Sequence, residues 1–295
     1  MQSLSVRSFA KINWMLRILG RRPDGFHDLE TIFQTISLHD VLTLRRADEL
    51  EVGCDDPNIP AGPDNLVHRA AAEMIAEFGI DPVRIDIRKV IPAGGGLGGG
   101  SSNAAFTLMA LDRMFSLDAP LEKLLEIAAR LGSDVPFFLI GGTAWATGRG
   151  ERLEVLPSPA PIPLLLLLPA ESVGTAEAYR ALSEARGEGS SPRPDAQGRS
   201  RAEKVMREGL LKRGNELEND FESVVFDMIP RLGELKEKAT EAGAALVLMS
   251  GSGSTIFALF ADAIARDQAV VRLRDEVRVV PCEIVTAHEA MRDLR

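Results

Sequence analysis

Two periods run through this chain, one of two residues and one near 3.6, and they alternate as they do in proteins that mix strands with helices. Val83-Arg84-Ile85-Asp86-Ile87 sets apolar against charged positions and predicts a strand over 83–90, with others at 3–9 and 41–46. Helical spacing covers 65–78, 102–115 and 121–131, and 104–111 is apolar enough to be a buried helix. Thr143–Thr147 predicts a further strand after the Gly141-Gly142 turn. Proline crowds 157–163 and marks a seam, dividing the chain into domains at 1–156 and 157–295. The leucine run 164–168 reads as a buried strand, followed by a short helix at 175–182. Residues 187–201 are rich in Gly, Ser, Pro and Arg, which predicts a mobile loop. Helices at 222–229 and 231–242, strands at 244–249 and 255–260, a helix at 262–275 and a strand at 277–285 complete the pattern. No solenoid-length repeat is visible.

Composition narrows the function classes. A chain of 295 residues with 45% hydrophobic content has room for two cores, and a net charge of −9 argues against nucleic acid as a partner. Cys54 and Cys282 are the only cysteines, too few for a disulfide framework or a cysteine metal site. Met1-Gln2-Ser3-Leu4-Ser5 has no basic start leading into an apolar run, and 162–168 is too short to span a bilayer. A cytoplasmic enzyme without a membrane partner is expected. No long amphipathic seam points to an oligomeric state.

The most informative segment is Pro92-Ala-Gly-Gly-Gly-Leu-Gly-Gly-Gly-Ser-Ser-Asn-Ala-Ala105, with six glycines in seven positions. Glycine loses more backbone entropy on folding than other residues, so such density belongs where a backbone bends sharply or approaches a ligand. A strand precedes it and a helix follows, with Ser101, Ser102 or Asn103 as the expected cap. Free N–H groups and the positive end of a helix dipole make that junction an anion site, suited to a nucleotide phosphate. Two familiar phosphate loops do not fit. Gly94, Gly96 and Gly99 spell G-x-G-x-x-G, but the acid that should end the next strand is absent; Asp118 lies in a loop before a helix. No Gly-Lys-Ser/Thr ending is present either.

Four other segments carry candidate chemistry. In Ser8-Phe9-Ala10-Lys11-Ile12-Asn13-Trp14, alternation sets Lys11 and Asn13 on one face, opposite Ala10 and Ile12. A buried lysine there needs a carboxylate or phosphate partner; an edge lysine would simply be solvated. Arg22-Pro23-Asp24-Gly25-Phe26-His27 is a turn from which an aromatic and an imidazole project, a pair able to hold a planar base. Asp134, after a helix ending at Gly132, either caps the next short helix or serves as a general base. Met249-Ser250-Gly251-Ser252-Gly253-Ser254-Thr255 is a second glycine loop, either a tight hairpin or a wall facing the first.

Together these segments resemble the GHMP kinase superfamily (galactose, homoserine, mevalonate and phosphomevalonate kinases). The matching pieces are Ala10 to Asn13, Arg22 to His27, the full Pro92–Ala105 run, Gly132 to Phe137 and Gly251 to Ser254. The resemblance implies an α/β (α+β) architecture of two domains. The first would be like the second domain of ribosomal protein S5, and the second ferredoxin-like. It implies transfer of the ATP γ-phosphoryl group to the 2-hydroxyl of a methylerythritol unit carried on cytidine diphosphate, a step towards isoprenoids outside the mevalonate route. By resemblance, Asp134 is the catalytic base and Lys11 the catalytic lysine. Pro92, Ala93, Gly94, Gly95, Gly96, Leu97, Gly98, Gly99, Gly100, Ser101 and Ser102 cradle the ATP phosphates, and Asn65, Leu66 and Lys89 line adenine and ribose. Asn13, Phe26, His27 and Tyr179 bind the acceptor, with Phe26 and Tyr179 flanking the base and His27 reading its edge. Phe26 stands where the family pattern has Tyr, which keeps stacking but loses a hydroxyl. Mg²⁺ is expected to arrive with ATP; Ser102 is the one candidate near it, and no metal site is assigned. The alternatives are a sister kinase of the homoserine or mevalonate type, a non-catalytic nucleotide-binding relative, or a Rossmann-type dehydrogenase.

Overall fold

The computed structural model describes residues 3–187 and 194–294. Two long antiparallel strands, β1 (Ser3–Arg21) and β2 (His27–Arg46), form the spine of the first sheet. After them come β3 (Glu51–Cys54), α1 (Leu66–Phe78), β4 (Val83–Arg88), α2 (Gly99–Phe115), α3 (Leu121–Leu131), α4 (Val135–Ile140), β5 (Thr143–Thr147) and β6 (Arg152–Val155). One edge of β2 pairs with β1, while the other is shared between β4 at 41–46 and β5 at 31–34. The gap between them is filled by the end of the chain: Val285 donates its N–H to Thr35 O at 3.0 Å, and Ser37 N–H reaches Glu283 O at 2.9 Å.

The second sheet is wholly antiparallel, in the order β10-β7-β9-β8. Its elements are β7 (Leu164–Leu168), α5 (Thr175–Arg186), α6 (Gly198–Glu208), α7 (Leu210–Arg213), α8 (Phe221–Met228), α9 (Pro230–Glu241), β8 (Leu246–Met249), β9 (Ile256–Leu259), α10 (Ala263–Leu273), β10 (Arg278–Cys282) and α11 (Ala287–Ala290). With α9 and α10 as its crossovers this is the split β-α-β-β-α-β arrangement, the ferredoxin-like topology expected. No helix among the described residues is long and apolar enough to cross a membrane.

Three apolar layers hold the molecule together. The first lies between sheet one and helices α1 to α4, and it also takes in Val285 and Ala290 from the end of the chain. The second lies between the two sheets and the third between sheet two and helices α5, α8, α9 and α10. This layering explains why β7 is all leucine. Leu164, Leu166 and Leu168 face the middle layer, while Leu165 and Leu167 face the outer one. A strand buried on both faces reads as a continuous apolar run. At the heart of the middle layer Trp14 of β1 meets Phe257 of β9 edge to face, ring centroids 5.4 Å apart.

Several elements depart from the sequence reading. β1 and β2 run far beyond 3–9 and 41–46, because the middle of the hairpin is covered on both faces and even Glu30, Thr31, Gln34 and Thr35 are buried. Burial of polar residues there erases the period of two. Helix α2 starts at Gly99, with Gly98 in left-handed backbone as its cap and no side-chain capping bond, so none of Ser101, Ser102 or Asn103 caps it. Of the loop expected at 187–201, residues 188–193 lie outside the described ones, and α6 already begins at Gly198. Ala202, Val205 and Met206 anchor that helix in the middle layer. β10 ends at Cys282 because residues 283–285 leave β7 to join β2.

Replacing Phe257 by Ala removes the ring that locks the two sheets together. Stability is expected to fall by about 3–5 kcal/mol, as for other fully buried aromatics. Urea unfolding of the variant beside the parent chain measures it.

Candidate functional site

The glycine run is a loop with a backbone of alternating hand. Gly94, Gly96 and Gly98 have φ of 74°, 75° and 68°, a repeat that turns successive N–H groups into an anion-binding nest. The N–H groups of Gly99, Gly100 and Ser101 precede the first intrahelical bond of α2, Ser102 N–H to Gly98 O at 2.8 Å. Glycine is obligatory at two of these positions for reasons of space. A Cβ on Gly96 would lie 2.0 Å from the carbonyl oxygen of Ser250, and one on Gly98 would lie 2.9 Å from the Phe138 ring. The neighbour at Gly96 is the second glycine loop, between β8 and β9. Ser250 Oγ donates to Gly96 O at 3.0 Å and Thr255 N–H to Gly95 O at 3.3 Å. The two small-residue loops therefore face and touch each other.

Both loops wall a cavity of about 1230 Å³. Lys11, Asn13 and Asp134 line the same cavity, and Lys11 lies against the loop itself, its N–H donating to Leu97 O at 3.0 Å. A shift of register between Phe9 and Ala10 turns β1, so that Ala10, Ile12 and Trp14 enter the middle layer and Lys11 and Asn13 face the cavity. Lys11 Nζ donates to Asn13 Oδ1 at 2.7 Å, Asn13 Nδ2 to Thr31 Oγ1 at 2.7 Å, and Thr31 Oγ1 to Met15 O at 2.6 Å. The ammonium also lies 3.6 Å from Asp134 Oδ2 and 5.3 Å from the Phe33 ring centre. Burial pushes the Lys11 ammonium below its ordinary value, and the Asp134 charge opposes that shift.

Asp134 occupies the cap position of α4 but its carboxylate makes no capping bond. Pro136 at the second helical position removes one of the N–H groups such a cap would use. The carboxylate is left for the cavity, where its side chain is one-third exposed.

At the other end of the cavity, His27 stacks on Tyr179 with ring centroids 4.4 Å apart and planes 21° from parallel. Phe26 is exposed, with the Arg149 guanidinium 4.5 Å above its ring. The expected sandwich of Phe26 and Tyr179 about a base is thus not preformed; Tyr179 lies against His27 instead. His27 Nε2 is buried without a hydrogen-bond partner among the described residues. Burial, aided by the charges of Arg21 and Arg186, holds His27 below its ordinary value, so the ring is neutral at neutral pH. Burial also raises the Tyr179 phenol, with help from Asp134, and keeps it protonated.

Three nucleotide-side expectations change on inspection. Ser102 does not line the cavity; its hydroxyl donates to Phe9 O at 2.6 Å and lies 2.7 Å from Ser8 Oγ. Lys89 borders the cavity, but its ammonium is held by Asp40 at 3.0 Å and by Ile91 O. Asn65 caps α1 through Val67 N–H and donates to Pro60 O at 2.6 Å, leaving both ends of its amide engaged. Among the described residues no group of three His, Cys, Asp or Glu is placed to hold a metal ion.

Comparison with known proteins agrees with this geometry. The profile of the GHMP kinases N terminal domain matches residues 65–142, and that of the GHMP kinases C terminal matches 202–279. The chain belongs to the GHMP kinase family. Within it, a 4-diphosphocytidyl-2-C-methyl-D-erythritol kinase of Pelotomaculum thermopropionicum is 42% identical over 90% of this chain and 92% of its own. A kinase of the same name from Solibacter usitatus is 43% identical over 92% of this chain and 85% of its own. A crystal structure of 4-(cytidine 5'-diphospho)-2C-methyl-D-erythritol kinase superposes with a TM-score of 0.79 at 34% identity, covering 95% of this chain and 99% of that one.

In this GHMP kinase, sequence reasoning had missed Thr31, Phe33 and Arg149, which share the cavity wall with the named residues. Thr31 and Phe33 sit where burial on both faces hides the strand period, and Arg149 lies in a loop with no local signature. Ser252 and Thr175, whose hydroxyls are 3.1 Å apart, close the wall from the second sheet's side.

The contact between the glycine loops separates two substitutions of like backbone. Gly94→Ala meets no atom within 4 Å and is expected to carry only the left-handed backbone penalty, ~1–2 kcal/mol. Gly96→Ala, with nearly the same φ, must also displace the Ser250 carbonyl and should be clearly the less stable of the two in thermal unfolding.

Proposed function

We propose that this chain transfers the γ-phosphoryl group of MgATP to the 2-hydroxyl of 4-diphosphocytidyl-2-C-methyl-D-erythritol. The observation that carries the reading is the Lys11–Asp134 pair at 3.6 Å, lining one cavity with a glycine loop at a helix N-terminus. Family membership and the names of the relatives support the choice of substrates.

In this reading the ATP phosphates lie against the loop and the first turn of α2, with Mg²⁺ carried in on the nucleotide. The acceptor hydroxyl lies between Lys11 and Asp134. Its oxygen forms a bond to the γ-phosphorus as the bond from that phosphorus to the β–γ bridging oxygen breaks. The proton passes to the Asp134 carboxylate and ADP leaves. Lys11 stabilises the negative charge that develops on the acceptor oxygen, and Asn13 with Thr31 holds Lys11 in place. Phosphoryl transfer asks mainly for positioning and charge stabilisation, which a preorganised buried ammonium supplies. Cytosine enters beside Phe26, His27 and Tyr179. The neutral imidazole, with Nε2 unpaired, offers a hydrogen bond to the edge of the base, and Tyr179 can turn from His27 to the ring of the base.

Release of ADP from MgATP with the cytidyl substrate, mevalonate and homoserine as acceptors tests the assignment. Turnover is expected with the cytidyl acceptor, and a preference for either other alcohol would refute the substrate. Asp134→Asn keeps the shape but cannot take the proton, so kcat should drop by ~10²–10⁴-fold while ATP binding persists.

A pH series examines the base pocket. His27 is neutral above its lowered pKa and charges as pH falls through it, below the ordinary 6.5. KM for the cytidyl acceptor should rise on acidification in that range, and His27→Asn should flatten the rise.

A further inference from the structure

On the kinase reading, the nucleoside half of ATP lies beyond the glycine loop, where Asn65 and Lys89 are already committed to Val67, Pro60, Asp40 and Ile91. Asn103 differs from both. It projects from α2 one turn after Gly99, borders the same cavity and is 3% exposed. Its Nδ2 donates to Asp40 Oδ2 at 2.9 Å, while its Oδ1 is buried with no hydrogen-bond partner among the described residues. The orientation of the amide follows from its neighbour. Asp40 is fully buried and its Oδ2 already takes the Lys89 ammonium at 3.0 Å, so turning Asn103 Oδ1 towards that oxygen would set two acceptors together. Asp40 is itself held by the N–H groups of Val90 at 2.6 Å and Ile91 at 2.8 Å and by Lys89 at 3.0 Å.

An amide oxygen buried without a donor is destabilising, and native structures seldom leave one so. We propose that Asn103 Oδ1 accepts a hydrogen bond from the nucleoside half of ATP, either the exocyclic amine of the base or a ribose hydroxyl, and thereby takes part in selecting the nucleotide. Asp40 is a positioning residue: it fixes which way the amide faces. If the amine is the donor, guanine, which carries a carbonyl at that place, would set oxygen against oxygen.

The test is nucleotide binding by titration calorimetry without acceptor, on the parent chain and on Asn103→Ser. The probes are ATP, 2′-deoxy-ATP, 3′-deoxy-ATP and purine riboside triphosphate, which lacks the amine. The parent is expected to bind one analogue about tenfold more weakly than ATP. Asn103→Ser should bind that analogue and ATP alike; a purely structural role would weaken all four together. Asn103→Thr replaces Ser if the latter lacks a cooperative unfolding transition. Loss with the purine riboside assigns the amine, and loss with a deoxy analogue assigns that hydroxyl. Equal binding of all probes by the parent overturns the inference, as does discrimination that survives in the variant. Failure of ATP itself to bind would overturn the kinase reading and the inference with it.

Discussion

A charged ammonium group inside the protein, that of Lys11, is the constraint on which the site is built. An unpaired cation at such a depth would be strongly destabilising, so the chain must surround it with acceptors. It does so on three sides: the Asn13 amide at 2.7 Å, the Asp134 carboxylate at 3.6 Å and the Phe33 ring. Each comes from a different part of the fold, and each is held by something else, Asn13 by Thr31 and Asp134 by its place at the start of α4. The sign of the pH effect follows. Because burial lowers the Lys11 pKa, its charged state opposes folding below the folded-state value, and that cost vanishes as pH rises past the ordinary 10.5. Holding an ammonium group at this depth beside the cavity therefore gives up stability.

That arrangement also depends on how the first glycine loop is held, and the second glycine loop holds it. Gly96 lies against the Ser250 carbonyl so closely that no Cβ fits between them. The loop is thereby tied to the β8–β9 turn, while Lys11 N–H bonds to Leu97 O at 3.0 Å on its other side. The glycine loop is thus clamped between the first sheet and the second. Gln34 does similar work at the back of the hairpin. It accepts from Trp14 and Thr143, and its amide nitrogen reaches the carbonyls of Thr35, Gly142 and Val285, joining β1, β5 and the end of the chain. Fully satisfied buried polar networks of this kind specify one arrangement of segments rather than many.

How much of this was legible in the sequence depended on whether local pattern and tertiary environment agreed. Strand β4, helices α1 and α3 and the all-leucine β7 each have one environment along their length, and their spans follow from pattern. The long hairpin did not, because Glu30, Thr31, Gln34 and Thr35 are buried by partners far away in the chain. The same division runs through the site. Lys11, Asn13, Asp134 and the glycine loop carry strong local signatures, and the structure brings them to one cavity. Ser102, within the glycine run, and Lys89, placed at the nucleotide by resemblance, are instead taken up by Ser8, Phe9 and Asp40, which only the folded chain brings near. A residue type in a motif says what chemistry is available, and its neighbours decide whether that chemistry faces the ligand.

Asp40 shows how a residue outside every motif can govern those within one. Fully buried, it receives the backbone of Val90 and Ile91, the ammonium of Lys89 and the amide of Asn103. Val90 and Ile91 lead into the glycine run and Asn103 follows from it, so a single carboxylate ties together the two ends of the loop. A loop with six glycines in seven positions has high conformational entropy when free, and closing its ends limits how much of that freedom remains in the folded state. Three donors would already satisfy a buried carboxylate. The fourth, from Asn103, adds orientation rather than charge balance, and it leaves the other end of that amide without a partner among the described residues.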